Sequence, residues 1–493
     1  MTARLIRTAM STLCLLLAAA GTSAQVELPD IGSPADAVLS KSDEAQIGRA
    51  IMQQIRASGT LVEDPQITEY INDIGHRLAA QANDGGHKFT FFVIDEPSIN
   101  AFALPGGYIG VHTGLLESTR SEDELAGVLA HEVAHVTQRH IARAIHANQR
   151  QSILSTAIML GALVAAAAGA DPNAVQGAIA VAQGSAAQAQ INFTRSNEYE
   201  ADRVGIAALA DAGFDPEGMA SFFEVISRNT STSEMRVPEF LRTHPVSSAR
   251  ISEARNRARS YPRTLTDDTP NYGIARARLM VNGQETAEQA VALFESQDYQ
   301  YQSDAARYGR ALAYMRAGRF NEANRIFEEL LLRDQQIIAY HIGLAQAQLE
   351  LERIEESRDT FERAIELFPR NVPLVVHYAE ALLRLGEPKK AHDTLLDLLN
   401  NVPPTPEQVR LLATAAIEYG NNPEAHYYMA EYRFMIGDLV GGVSFLQRAL
   451  ALPDLQEIQR IRYEARIDFI QEFMTEEQLQ QMRRSRPSGP SAS

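Results

Sequence analysis

Three residues in one helical turn offer the chemistry from which the rest of the chain can be read. They are His131, Glu132 and His135, in the stretch Leu129-Ala130-His131-Glu132-Val133-Ala134-His135. Positions i and i+4 of a helix lie on one face, a turn apart, so the two imidazoles can turn one nitrogen each toward a single metal ion. Glu132, beside the first histidine, can reach a water on that ion. Two neutral nitrogen ligands, a carboxylate base and an open coordination position are the minimum for zinc-assisted hydrolysis of a peptide. Such a zinc needs a third protein ligand, and Arg195-Ser196-Asn197-Glu198-Tyr199-Glu200-Ala201-Asp202 offers candidates. Glu198 and Asp202 share a helix face. Glu198 is expected to ligate and Asp202 to hold a ligand histidine from behind, while Glu200 points elsewhere. His244, in Thr243-His244-Pro245, has two roles open to it. It can donate a hydrogen bond to the developing oxyanion, or it can occupy the open zinc position and silence the enzyme. His112 reads as structural, and His140 and His146 do not repeat the face of His135.

The elements that must position these groups follow from local signals. Ser121 with Glu124 fits a capping box, and Glu122, Asp123 and Glu124 put negative charge on the first turn of the helix that carries His131. Leu125, Val128, Leu129 and Val136 give it an apolar stripe, and Arg139 to Arg150 read as its polar continuation. Ser42-Asp43-Glu44 opens an earlier helix with Ile47, Ile51 and Ile55 at helical spacing. A second begins after Pro65 and buries Ile67, Tyr70, Ile71, Ile74 and Leu78. Phe89 to Ile94 is rich in β-formers and reads as a strand. Asn100 to Val111 reads as two short strands around Pro105-Gly106-Gly107. The second, through Gly107, Tyr108 and Ile109, could pair with an extended peptide and hold it across the metal; a plain hairpin without a ligand is the alternative.

The chain as a whole sets limits. Its 493 residues call for two or more domains. A formal net charge of −17 argues against nucleic acid as a partner. Residues 1–24 resemble a secretory signal, with Arg4 and Arg7 before an apolar run and small residues at Thr22-Ser23-Ala24, so cleavage is expected before Gln25. The one cysteine, Cys14, lies inside that segment, leaving a mature chain with no disulfide and no thiolate ligand. Residues 153–168 are strongly apolar but short for a membrane span. They suggest a lid over the cleft or a helix in peripheral contact with a membrane face.

Residues 40–255 resemble the HtpX/CAAX-prenyl-protease family of gluzincin metallopeptidases. The residues that carry the resemblance are Asn100 to Val111, His131-Glu132-x-x-His135, Glu198-x-x-Ala201-Asp202 and Thr243-His244-Pro245. It implies one zinc ion on His131, His135 and Glu198, with Glu132 as general base. Many members of that family carry transmembrane helices, which this sequence does not offer.

Beyond a boundary at 264–270 the chain repeats. Gly318, Glu352, Gly386 and Gly420 stand 34 residues apart, as do Ala311, Ala345, Ala379 and Ala413, and also Ala323, Ser357, Ala391 and Ala425. Phe327, Phe361 and Leu395 fill the next large position. This is the tetratricopeptide pattern, with residues 273–300 as an atypical leading unit and one further helix expected after Gly437. Such arrays stack into a curved solenoid that binds polypeptide or docks a complex.

The fold expected is mainly α. An α+β zincin-like peptidase domain with a small sheet (25–263) precedes an all-α solenoid (271–480) and a disordered tail (481–493). Signal, peptidase and repeats together are similar to the BepA-type periplasmic proteases of Gram-negative bacteria. That resemblance implies a periplasmic protease acting on polypeptide substrates, one that degrades misfolded or stalled outer-membrane proteins, aids their assembly and touches their assembly machinery through the repeats. The alternative is an assembly factor or chaperone that works through the repeats with low or gated proteolysis.

Overall fold

The computed structural model describes residues 39–82, 86–147, 195–232, 238–264, 267–296, 303–453 and 455–485. The expected signal (1–24), the apolar stretch 153–168 and residues 486–493 of the expected tail lie outside the described residues. The architecture is mainly α, with one small sheet.

Helix α1 (Lys41–Ser58) opens on Ser40, two residues before the expected start. The Ser40 side chain caps the Asp43 N–H and Asp43 reaches back to Ser40, which completes a capping box. Helix α2 (Pro65–Gln81) is capped by Asp64, whose Oδ1 accepts from the N–H groups of Gln66 and Ile67. Three strands follow: β1 (Thr90–Ile94), β2 (Ala101–Leu104) and β3 (Tyr108–His112). Their order is β1-β3-β2, with β1 parallel and β2 antiparallel to β3. The Pro105-Gly106-Gly107 turn takes φ of +80° at Gly106 and +83° at Gly107. A Cβ on Gly107 would stand 2.2 Å from the carbonyl oxygen of Lys88, so only glycine fits there.

After the short α3 (Thr113–Ser118) comes α4 (Glu122–Thr137), the helix with both motif histidines. Every residue from Glu124 to Val136 is buried, because α4 is covered on all sides. It lies on β2 and α2, and against α6 (Arg195–Asp211) and α7 (Gly218–Thr232). Ser121 accepts from the Glu124 N–H as expected, but the Glu124 carboxylate reaches the Arg120 N–H and Ser221 Oγ rather than Ser121. Helix α4 does not continue as the sequence suggested. It stops at Thr137, Arg139 adopts φ +52°, and a separate helix α5 (His140–Ala147) starts at a new angle. Short α8 (Glu239–Thr243) and α9 (Ser248–Ala258) complete this half.

The second half is a stack of helices: α10 (Pro270–Asn282), α11 (Ala287–Glu295), α12 (Asp304–Arg316), α13 (Phe320–Arg333), α14 (Ile338–Glu350), α15 (Ile354–Leu367), α16 (Val372–Arg384), α17 (Pro388–Leu399), α18 (Pro406–Glu418) and α19 (Asn422–Met435). The 34-residue glycine step marks the left-handed residue that ends the first helix of each pair. Gly318, Gly386 and Gly420 have φ of +70°, +74° and +88°, and Glu352 takes the same turn at +59°. Holding a residue with a side chain there costs roughly 1 kcal/mol. The small residues Ala311, Ala345, Ala379 and Ala413, and the large Phe327, Phe361 and Leu395, are all buried between helices. The end of the stack differs from expectation. Three helices follow Gly437 rather than one: α20 (Leu439–Leu450), α21 (Glu457–Gln471) and α22 (Glu476–Ser485). Gly437 itself repeats the left-handed turn at +85°, so α19, the second helix of the pair that α18 begins, also ends in the manner of a first helix and packs on α20 as well as on α18.

The two halves are joined by more than the chain. The core around α4 takes in Tyr272, Ala275 and Leu279 of α10. The start of α2 is gripped three times: Arg278 lies 2.6 Å from Asp64 Oδ2, Tyr308 donates to Gln66 Oε1, and Asn371 donates to Glu69 Oε1 at 2.6 Å. Asp268 and Thr269, between the halves, bond the Glu122 backbone N–H and side chain at the start of α4. Among the described residues, no helix is long and apolar enough to cross a membrane.

Candidate metal centre

Helix α4 supplies His131, Glu132 and His135, α6 supplies Glu198 and Asp202, and the turn after α8 supplies His244. All six are buried. Helix α6 can come this close because Gly205 faces Ala130: a Cβ there would lie 3.0 Å from the Ala130 carbonyl oxygen. His131 Nε2 and His135 Nε2 are 3.0 Å apart. Glu198 brings Oε2 to 3.6 Å from the first and Oε1 to 3.5 Å from the second. His244 Nδ1 stands 3.3 Å from His131 Nε2 and 3.2 Å from Glu198 Oε2. Donors held about 2.1 Å from a shared tetrahedral centre lie about 3.4 Å from one another. The four side chains therefore fit a metal ion, with His131, His135 and Glu198 at three corners and His244 at the fourth. Glu132 Oε1 is buried and makes no hydrogen bond among the described residues; His244 Nε2 lies 3.4 Å from it.

Comparison with known proteins gives these residues a family. Residues 65–258 match the model of peptidase family M48, and residues 308–372 and 348–415 match tetratricopeptide-repeat models. The chain is 35% identical over 465 residues to the putative beta-barrel assembly-enhancing protease of Vibrio cholerae, covering 92% of this chain and 96% of that one. The chain belongs to the beta-barrel assembly-enhancing protease family. It is also 35% identical over 450 residues to the Escherichia coli K12 member, covering 90% of this chain and 91% of that one. The mitochondrial metalloendopeptidase OMA1 of Arabidopsis thaliana is 29% identical over 217 residues, 44% of this chain and 41% of its own. This member of the family is a metallopeptidase with a repeat domain, and the M48 match spans α2 to the end of α9.

Around the centre, charge is matched atom by atom in this family member. Asp202 Oδ1 lies 2.9 Å from His131 Nδ1, which leaves Nε2 facing the other donors. Arg250 of α9 holds Asp202 with two hydrogen bonds at 2.7 and 2.8 Å, Glu198 with one at 2.9 Å, and the Pro245 carbonyl with a fourth. Burial disfavours a charged His131, but Asp202 and Glu198 outweigh it and lift the group to about 9. Burial, then the charge at His131, drives His135 well below the usual histidine range. Burial would raise Glu198, yet His244 and His131 hold it far below an ordinary carboxylate. A metal ion held by His131, His135 and Glu198 would take the place of the proton that these acids otherwise attract.

Two expectations need correction. Gly107, Tyr108 and Ile109 are not an edge for a peptide: β3 is the middle strand, bonded to β1 on one side and β2 on the other. The edges of the sheet are β1 and β2; residues 60–62 bond along β1, and β2 is the edge strand that packs on α4. His140 is not on a continuing helix. The turn at Arg139 brings it back so that its Nδ1 sits 2.8 Å from His135 Nδ1. Spacing along one helix could not reveal this contact, because the break between α4 and α5 resets the angle. Nor could spacing reveal Arg250, which reaches Asp202 and Glu198 from a different helix. Glu200 faces away from the centre as expected, toward His140 and Arg143. His112 bonds Ser98 within the sheet region, and the side chain of His146 lies outside the described residues.

Proposed function

We propose that the chain is a zinc endopeptidase of the periplasm that acts on outer-membrane β-barrel proteins during their assembly. In this reading a signal is removed near Ala24, residues 25–263 form the peptidase and residues 271–480 form a repeat domain. The repeats dock polypeptide or the assembly machinery. Zinc suits a donor set of two or three imidazoles and one carboxylate at tetrahedral spacing. When bound, it supplies polarisation of the scissile carbonyl and acidification of water. Glu132 Oε1 takes the proton from the attacking water and returns it to the leaving amine. Asp202 and Arg250 hold His131 and Glu198 in place, and the edge of β2 offers backbone groups to an extended substrate.

The observation that carries this reading is the position of His244. Its Nδ1 stands in the donor set and its Nε2 beside Glu132, where water and the carbonyl need to be. This geometry favours occupation of the fourth zinc corner over the oxyanion role, and so a resting peptidase that opens when His244 leaves. The test is casein proteolysis by His244→Ala and His244→Ala/Glu132→Gln, with zinc content measured in both. Expected is a rise of about tenfold or more in the single variant. In the double variant Glu132→Gln removes roughly 10²–10⁴-fold while zinc stays bound. A fall in the single variant would instead assign His244 to the oxyanion. The second function reading, a chaperone or assembly factor acting through the repeats with low or gated proteolysis, is favoured if Glu132→Gln keeps full activity in the cell.

A further inference from the structure

The two histidines of α4 are braced in different ways. His131 has a carboxylate behind it, Asp202. His135 has a third histidine, at 2.8 Å between the two Nδ1 atoms. That pair sits in a chain with a readable direction. His140 Nε2 lies 3.2 Å from Glu200 Oε2, and Arg143 Nη1 donates to the same oxygen at 2.8 Å.

A carboxylate only accepts hydrogen bonds. Glu200 therefore requires that His140 carry its proton on Nε2. A neutral imidazole protonated on Nε2 has a bare Nδ1, which can only accept. His135 must then donate from its own Nδ1, and its Nε2 is left with a free lone pair. That lone pair is on the atom that faces His131 Nε2 and Glu198. The opposite assignment fails at both ends. It would set the bare Nε2 of His140 against the Glu200 oxygen, and it would put a proton on the nitrogen of His135 that faces the other donors. The requirement arises at Glu200, on the outer side of α6, so His135 is prepared before any ion arrives.

We propose that His140 is a positioning residue for His135, locking it in the tautomer and orientation that present Nε2 to the metal, with Glu200 and Arg143 setting the direction of the relay. The proposal rests on the reading of His131, His135 and Glu198 as the zinc-holding set. His140 is fully buried, whereas Glu200 and Arg143 are partly exposed. Those two residues belong to α5 and α6, the helices that precede and follow residues 148–194 in the chain. Support for one zinc ligand thus ends on an ion pair at the surface, while support for the other, Asp202 with Arg250, stays buried.

The test is zinc affinity of the full-length protein, measured by competition with a chromogenic chelator, together with melting of the metal-free form. His140→Phe keeps the ring volume and removes the acceptor. It is expected to weaken zinc binding about 10–100-fold. His140→Asn places a carbonyl oxygen where Nδ1 stood and is expected to recover affinity to within about threefold of wild type. A packing role predicts the reverse order, since Asn leaves a hole that Phe does not. Should His140→Phe fail to fold, Glu200→Gln replaces it; the amide can offer an N–H to His140, and a loss of about threefold or more is expected. Zinc held by His140→Phe as tightly as by wild type overturns the proposal alone. A wild-type protein that holds no zinc overturns the metal reading and the proposal with it.

Discussion

The halves of this molecule treat charge in opposite ways. In the peptidase half, Glu44, Glu122, Glu124, Glu132, Glu198, Asp202 and Arg250 are all buried. From Pro270 onward, the carboxylates, lysines and arginines of the described residues keep some exposure, and pairs such as Arg333–Asp304 and Lys390–Glu362 lie at the surface. Buried ion pairs seldom add net stability, because desolvation offsets their attraction. Glu132, Glu198, Asp202 and Arg250 surround the donor set and fix its atoms in place, while Glu122 and Glu124 tie down the start of α4. The solenoid needs only a shape, and small and large apolar residues at regular intervals suffice for it.

Three substitutions test this contrast. The largest effect is expected from Arg250→Ala, which leaves Asp202 and Glu198 as buried carboxylates without their cation. A loss of about 3–5 kcal/mol is expected in urea unfolding, with zinc content falling alongside. A near-neutral result would mean that water reaches these acids and that the contrast is overstated. Phe361→Ala should cost a similar or slightly smaller amount, about 3 kcal/mol, through loss of packing between repeat helices. Here the zinc bound per folded chain should not change; a parallel loss of metal would show that the solenoid's packing sets the site. Arg333→Ala, at an exposed pair, should leave Tm within about 1 °C of wild type.

What could be read from the sequence was whatever depended on neighbours in the chain. The turn of α4 that pairs His131 with His135 needs only an i, i+4 step. Glu198 and Asp202 need the same step on α6, and the repeats declare themselves by period. The groups that escaped notice depend on geometry between elements. His140 faces His135 only because Arg139 takes a left-handed turn and breaks the helix. Arg250 matters because α9 is laid across α6, and Gly205 because α6 must press on Ala130. The order β1-β3-β2 placed Tyr108 in the middle of the sheet, and strand order is not encoded in the alternation of a single strand. Glu352 kept the repeat's turn without its glycine, so the period survived where the residue type did not.

Asp64 has a consequence for how this protein can be divided. One of its oxygens finishes the start of α2 and the other fastens Arg278 of the repeat domain. A single side chain is thus shared property, claimed by a helix beneath the sheet and by a partner more than two hundred positions downstream. Severing the polypeptide between residues 259 and 269 would produce two fragments, each missing half of a joint, rather than two finished modules.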